Sequence, residues 1–213
     1  MKIKVCGLKY PDNISAVAAL KPDYMGFICY DRSPRFISDT IIDVMKQLPA
    51  TIYKTAVFVN EGKDVISNLI DQYKFNAIQL HGSESPDFSN SFRNKVIVIK
   101  AFGLNQDFDF EQLNAYAGKV DYFLFDTKTD LHGGSGKAFD WSILANYKMN
   151  IPFFLSGGLS LANLEEVKQI DHPQFYGVDL NSRFETSPGL KDIEKLTKAF
   201  DMIKKYNTNE VRS

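Results

Sequence analysis

The sequence predicts an α/β protein, a single-domain (β/α)8 barrel of the TIM type, and three observations point that way. Short β-branched or aromatic runs begin near residues 2, 24, 53, 77, 96, 122, 152 and 175, each is followed by a stretch that reads as helix, and several are apolar almost without a break. Tyr24–Tyr30, Tyr53–Asn60, Val96–Phe102 and Tyr122–Thr127 are runs of the last kind, as strands covered on both faces should be, which implies a parallel sheet. Between strands, Val65, Ile66, Leu69, Ile70 and Tyr73 mark one helical stripe, and Ile193, Leu196, Phe200 and Ile203 another. Ser85 before Pro86 reads as an N-cap followed by proline at the first helical position, and Ser160 as the cap of a helix over Leu161–Ile170. An open doubly wound sheet is the rival. Its usual strand count is lower, and no Gly-x-Gly-x-x-Gly turn follows the first strand.

At 213 residues the chain sits near the short end for eight strand–helix units. No linker or composition shift divides it, so residues 1–205 are expected to form one catalytic barrel and 206–213 a frayed polar tail. Hydrophobic residues at 44%, charged residues at 24% and 13 glycines are ordinary globular values. A formal net charge of -1 leaves no global field to collect nucleic acid or an anionic membrane, so an anionic ligand must be held by local groups. No apolar run approaches the roughly 20 residues that span a bilayer. Met1 to Gly7 runs straight into a strand pattern without a signal-peptide core, so a cytoplasmic address is expected. The two cysteines, Cys6 and Cys29, do not suggest a disulfide framework.

In such a barrel the strand ends converge on one mouth. Cys6 ends the first strand, Arg35 follows the second, Asn60 ends the third, His81 the fourth and Asp126 the sixth. Ser156, Gly157 and Gly158 follow the seventh, and Asp179, Asn181 and Ser182 close the eighth. Glycine lets backbone N–H groups approach a phosphate, so the loops after strands seven and eight read as a phosphate cradle, although a bare Ser-Gly-Gly is also an ordinary turn. The cluster Gly133-Gly134-Ser135-Gly136-Lys137 fails as a nucleotide P-loop, because the glycine spacing is short and Ala138 stands where a hydroxyl is required. It reads as a lid over the mouth or as a plain connector, with Lys137 on the phosphate or in solvent.

Asp126 closes an apolar strand and, if desolvated, has a raised pKa that suits a general acid; the alternative is a loop cap or a partner for Lys128. Most free cysteines are buried hydrophobes, which is the reading for Cys29, but Gly7 leaves room for a ligand beside Cys6. Arg35 either clamps a carboxylate bidentately or decorates a loop, and His81 either positions substrate or satisfies a strand end. His132 and His172 lack companions at metal-ligand spacing, and no metal and no cofactor are expected.

Taken in order, Lys4-Val5-Cys6-Gly7, Gln79-Leu80-His81-Gly82, Asp126-Thr127-Lys128-Thr129, Gly133 to Lys137 and Leu155-Ser156-Gly157-Gly158-Leu159 strongly resemble the phosphoribosylanthranilate isomerases of tryptophan biosynthesis, over nearly the whole chain. The resemblance implies an Amadori rearrangement with Cys6 as general base and Asp126 as general acid. It also implies Arg35 on the anthranilate carboxylate, and phosphate held by the loop of Ser156, Gly157 and Gly158 and by the loop after strand eight, where Asn181 and Ser182 stand; His81 and Asp179 are expected as further substrate contacts and Gly134 as a further phosphate contact. The expected partner is a phosphosugar substrate, with no nucleic acid and no membrane, on a monomer or weak homodimer. One departure stands out: family members commonly carry Ser-Ser-Gly after strand eight, and here Arg183 occupies the glycine position. Indole-glycerol-phosphate synthase is the near rival, but it should end strands in catalytic lysines. The imidazole-ribonucleotide isomerases resemble the barrel too, with aspartates at both catalytic positions. A silent phosphoribosyl-ligand binder is the rival from another class, and retention of both Cys6 and Asp126 argues against it.

Overall fold

The computed structural model describes residues 1–127 and 141–210. Eight parallel strands close on themselves in sequence order: β1 (Lys2–Val5), β2 (Tyr24–Ile28), β3 (Tyr53–Phe58), β4 (Ala77–Leu80), β5 (Ile97–Leu104), β6 (Tyr122–Thr127), β7 (Phe153–Ser156) and β8 (Phe175–Leu180). Each starts within a residue of its expected position. Closure is made by β8 against β1, with Lys4 paired to Asp179 and Val5 to Leu180. Closure by backbone hydrogen bonds removes both sheet edges, and it brings residues at opposite ends of the sequence side by side.

Residues alternate between the barrel interior and the helix-facing side. Tyr24, Ile99, Ala101, Leu124 and Phe154 pack together as one interior cluster. Ile3, Val5, Phe27, Ile78, Phe123, Phe125 and Leu155 face outward into a larger cluster shared with the surrounding helices. Above the apolar plug, the interior positions Lys4, Gln79 and Asp179 form a buried polar layer. Two residues on along their strands lie the mouth positions.

The outer ring begins with α1 (Pro11–Ala19), α2 (Ile42–Gln47), α3 (Lys63–Tyr73) and α4 (Pro86–Asn90) and ends with α5 (Ile193–Glu210). The Ser85 hydroxyl accepts the Phe88 N–H at 3.2 Å, capping α4 as expected. Along α3, Ile66, Ile70 and Tyr73 are buried, whereas Val65 of the expected stripe is 46% exposed. The fifth to seventh crossovers use short 3-10 helices, Phe110–Tyr116, Trp141–Asn146 and Glu166–Gln169. The expected α-helix over Leu161–Ile170 is therefore corrected to a turn followed by the last of these. The Asn163 side chain is the reason: its oxygen takes the Ser160 N–H at 2.8 Å and its amide donates to the Gly158 carbonyl at 3.1 Å, tying the chain into a closed turn. α5 continues to Glu210, past the boundary drawn at residue 205. Among the described residues no helix is long and apolar enough to cross a membrane. A small antiparallel hairpin, β9 (Glu185–Ser187) and β10 (Leu190–Lys191), follows β8, and the Asn13 side chain of α1 fixes it by two hydrogen bonds to the Lys191 backbone, at 2.7 and 2.9 Å.

Candidate active site

The C-terminal ends of the strands surround a cavity of about 110 Å3 lined by Asp126, Ser156, Gly157, Gly158, Asp179, Asn181 and Ser182 among others. Asp126 pairs with Ser156 across β6 and β7, so the acid candidate stands directly beside the glycine loop. That loop turns at Gly157 (φ 88°) and Gly158 (φ 63°), left-handed angles that side-chain-bearing residues adopt at a cost. A roomier groove of about 400 Å3 lies outside the barrel between Trp141 and His172, away from the strand ends. His172 itself is taken up by backbone, with Nδ1 accepting the Gln174 N–H and Nε2 facing the Tyr147 carbonyl.

Cys6 is buried, as the inward position after β1 requires, and Lys4 lies two residues before it on the same face. The fully buried Lys4 ammonium sits 2.8 Å from Asp179 Oδ2, and it also meets the Cys6 side chain. Burial disfavours that ammonium, but Asp179 and Cys6 more than offset this and hold it above its ordinary value. Burial pushes the Cys6 thiol up, against the pull of Lys4; Asp179 adds to the rise and Lys191 opposes it. Burial thus opposes ionisation of the base candidate, and Lys4 and Lys191 favour it. Asp179 Oδ1 is buried and, among the described residues, makes no hydrogen bond. An acceptor left open beside the cavity is a place for a ligand hydroxyl.

His81 Nε2 lies 3.5 Å from Asp126 Oδ2. On its other side, Nδ1 is 2.7 Å from the Gln79 amide nitrogen, so the Gln79 side chain holds the ring with Nε2 toward Asp126. The Asp126 side chain is 35% exposed, so it is not the desolvated group the apolar strand suggested. Arg35 crosses the mouth directly over Gly7, where a β-carbon would lie 2.7 Å from its Cδ. It is not a free surface arginine: Nε and Nη2 hold the Glu185 carboxylate at 2.6 to 3.0 Å.

Several expected positions have other duties. The Asn60 side chain accepts the Ser83 N–H at 2.6 Å and braces the β4 loop. Asn181 Oδ1 accepts from Lys191 Nζ at 2.9 Å, which ties this side chain to the hairpin. Ser182 opens a single 3-10 turn whose Phe184 is fully buried beneath the loop. Arg183 is exposed and does not have a positive φ, so this loop no longer demands the family's glycine. Cys29 is buried away from the mouth, with its thiol pushed up to about 12 by burial. Gly134 and the remainder of the expected lid lie outside the described residues.

Lys4, Glu185 and Lys191 were not among the residues expected at the site. Lys4 left a signal in the sequence, a charge at the inward position two residues before Cys6. Glu185 and Lys191 left none, because the hairpin brings them to the mouth only through tertiary packing.

A closed barrel with an acid candidate, a thiol and a glycine cradle at its C-terminal mouth defines the class as a barrel enzyme acting by proton transfer. The family profile for "N-(5'phosphoribosyl)anthranilate (PRA) isomerase" matches residues 3–202. The chain is 45% identical to the N-(5'-phosphoribosyl)anthranilate isomerase of Parabacteroides distasonis, over 95% of this chain and 93% of that relative. Among solved structures, the Thermotoga maritima phosphoribosyl anthranilate isomerase aligns at a TM-score of 0.86 and 31% identity, covering 96% of this chain and 99% of that one. Another, at TM-score 0.83 and 28% identity with the same coverage, is a phosphoribosyl anthranilate isomerase in complex with reduced 1-(o-carboxyphenylamino)-1-deoxyribulose 5-phosphate. The chain belongs to the phosphoribosylanthranilate isomerase family, and it is an isomerase.

Proposed function

We propose that this mouth converts N-(5-phosphoribosyl)anthranilate to 1-(2-carboxyphenylamino)-1-deoxyribulose 5-phosphate, with Asp126 as the acid and Cys6 as the base. The observation that carries the assignment is the cavity that Asp126 shares with the Gly157–Gly158 turn and with Asp179, whose ion-pair partner Lys4 also meets Cys6. Protonation of the furanose ring oxygen by Asp126 opens the glycosylamine and leaves an iminium. The iminium acidifies the neighbouring C–H, and Cys6 as thiolate removes that proton. The resulting enolamine tautomerises to the ketone.

The other groups divide the substrate among them. Backbone N–H groups at Gly157 and Gly158, with Ser156, Asn181, Ser182 and Gly134, take the phosphate. Asp179 Oδ1 accepts a pentose hydroxyl, His81 steadies the Asp126 carboxyl, and Arg35 receives the ring carboxylate. The enzyme works in the cytoplasm as a monomer or weak homodimer, which sedimentation of the purified chain tests.

The deciding experiment follows the fluorescence of freshly made phosphoribosylanthranilate. Enzyme-dependent conversion is expected, and its absence from a folded preparation overturns the reading. An inorganic phosphate titration should shift the amides of Gly157, Gly158 and Ser182; unmoved amides there would remove the phosphate assignment.

A further inference from the structure

Arg35 does not face the mouth alone. Glu185, the first residue of β9, holds the edge of its guanidinium formed by Nε and Nη2, with contacts of 2.9 and 3.0 Å from Nε and 2.6 Å from Nη2. This carboxylate is itself fixed. Lys191 Nζ donates to Oε1 at 2.7 Å, and the Gly189 N–H donates to the same oxygen at 3.1 Å. The Glu185 side chain is 4% exposed and that of Lys191 fully buried. Lys191 in turn is tied through its backbone to Asn13 of α1, so the anchor runs from an outer helix through the hairpin to the arginine. Burial alone would raise the Glu185 carboxyl, but the hydrogen bonds from Arg35 and Lys191 hold it below the usual carboxylate range.

A guanidinium offers two bidentate faces to carboxylates, the Nε side and the end formed by its two terminal nitrogens. Glu185 occupies the first. Among the described residues Nη1 makes no hydrogen bond, which leaves the end face open, while the stem is confined against Gly7 beside the thiol. Two readings of such a carboxylate are opposed. A competitor would be mobile and displaced by substrate; an orienting group would be buried and held by other partners, as Glu185 is.

We infer that Glu185 is a positioning residue for substrate recognition: it grips one face of Arg35 and so aims the other at the carboxylate of the incoming ligand. The inference rests on the proposed role of Arg35. Recognition of the carboxyl group is then a property of the pair, and of the β9–β10 hairpin that carries Glu185.

The test compares two ligands by calorimetry, reduced 1-(o-carboxyphenylamino)-1-deoxyribulose 5-phosphate and the same compound without its ring carboxylate. Loss of a charged hydrogen-bonded group should weaken binding to the wild type by about tenfold to a hundredfold. In Glu185→Gln that ratio is expected to fall at least fivefold, the affinity for the decarboxylated ligand to stay within twofold, and KM to rise with kcat little changed. Glu185→Asp, which keeps the charge one methylene shorter, should give an intermediate ratio and serves if the Gln variant does not fold. A Glu185→Gln or Glu185→Asp protein that retains the full wild-type ratio, loses both ligands equally, or binds the carboxylated ligand more tightly overturns the inference. Indifference of the wild type itself to the carboxylate would instead sink the Arg35 assignment, and this inference with it.

Discussion

Replacing Lys4 by methionine leaves a chain of similar length at the centre of the barrel and removes its charge. In the wild type both members of the Lys4–Asp179 pair are essentially closed to water, at 0% and 4% exposure, and their contact is 2.8 Å. Asp179 Oδ1 has no partner, so Lys4 carries the whole hydrogen bonding of that carboxylate among the described residues. Stranding one member of a buried pair typically costs about 3–5 kcal/mol, against total stabilities of roughly 5–15 kcal/mol. Lys4→Met should therefore lose roughly a fifth or more of the folding free energy in urea denaturation, and most of it should return in the neutral double variant Lys4→Met/Asp179→Asn. The pH dependence has a definite sign. The Lys4 pKa is raised above 10.5 on folding, so its contribution is fully present below pH 10.5 and disappears as the pH climbs through the folded value. Burial works in the opposite sense on Asp179, lifting its carboxyl. If burial wins and the acid is neutral, Lys4→Met costs less than about 1 kcal/mol, the scale of an ordinary hydrogen bond, and the reasoning from a charged pair fails.

Three further outcomes bear on the chemistry. Cys6→Ser and Asp126→Asn should each lower kcat by roughly 10²–10⁴-fold while affinity for the reduced product analogue survives; normal turnover by Cys6→Ser would return Cys6 to the buried hydrophobes and make Asp179 the next base to test. The acidic limb of the kcat/KM profile reports loss of the thiolate on protonation, and since Lys4 opposes the rise of the Cys6 pKa, Lys4→Met should move that limb to higher pH. An unmoved limb would show that another group is the base. Gly157→Ala forces a β-carbon onto a φ of 88°, at a cost of about 1–2 kcal/mol, and should raise the inhibition constant of inorganic phosphate more than it alters stability; an unchanged constant would place the phosphate elsewhere.

The barrel was legible because strand and helix patterning are local. Nearly continuous apolar runs such as Tyr122–Thr127 report burial on both faces, and short strand-like runs recur eight times at spacings that leave room for crossovers. Cys6, His81, Asp126 and Ser156 to Gly158 were legible for the same reason, since each terminates a recognisable strand in a barrel whose strand ends meet. The expected helix at Leu161–Ile170 failed where a local competitor intervened: Asn163 bonds the backbone of its own turn more effectively than a helix would. What no pattern along the chain reveals is pairing across it. Asp179 reaches Lys4 only because closing the barrel sets β8 beside β1, and Glu185 reaches Arg35 only because Asn13 pins a two-stranded hairpin over the mouth. The sequence by itself determined which proton-carrying residue types and which glycines stand at the strand ends that meet in one mouth. Whether the thiol is ionised and which way the arginine faces depend on charges brought together from distant segments and sealed from water, where Coulomb energies are large, and only the tertiary structure decides those.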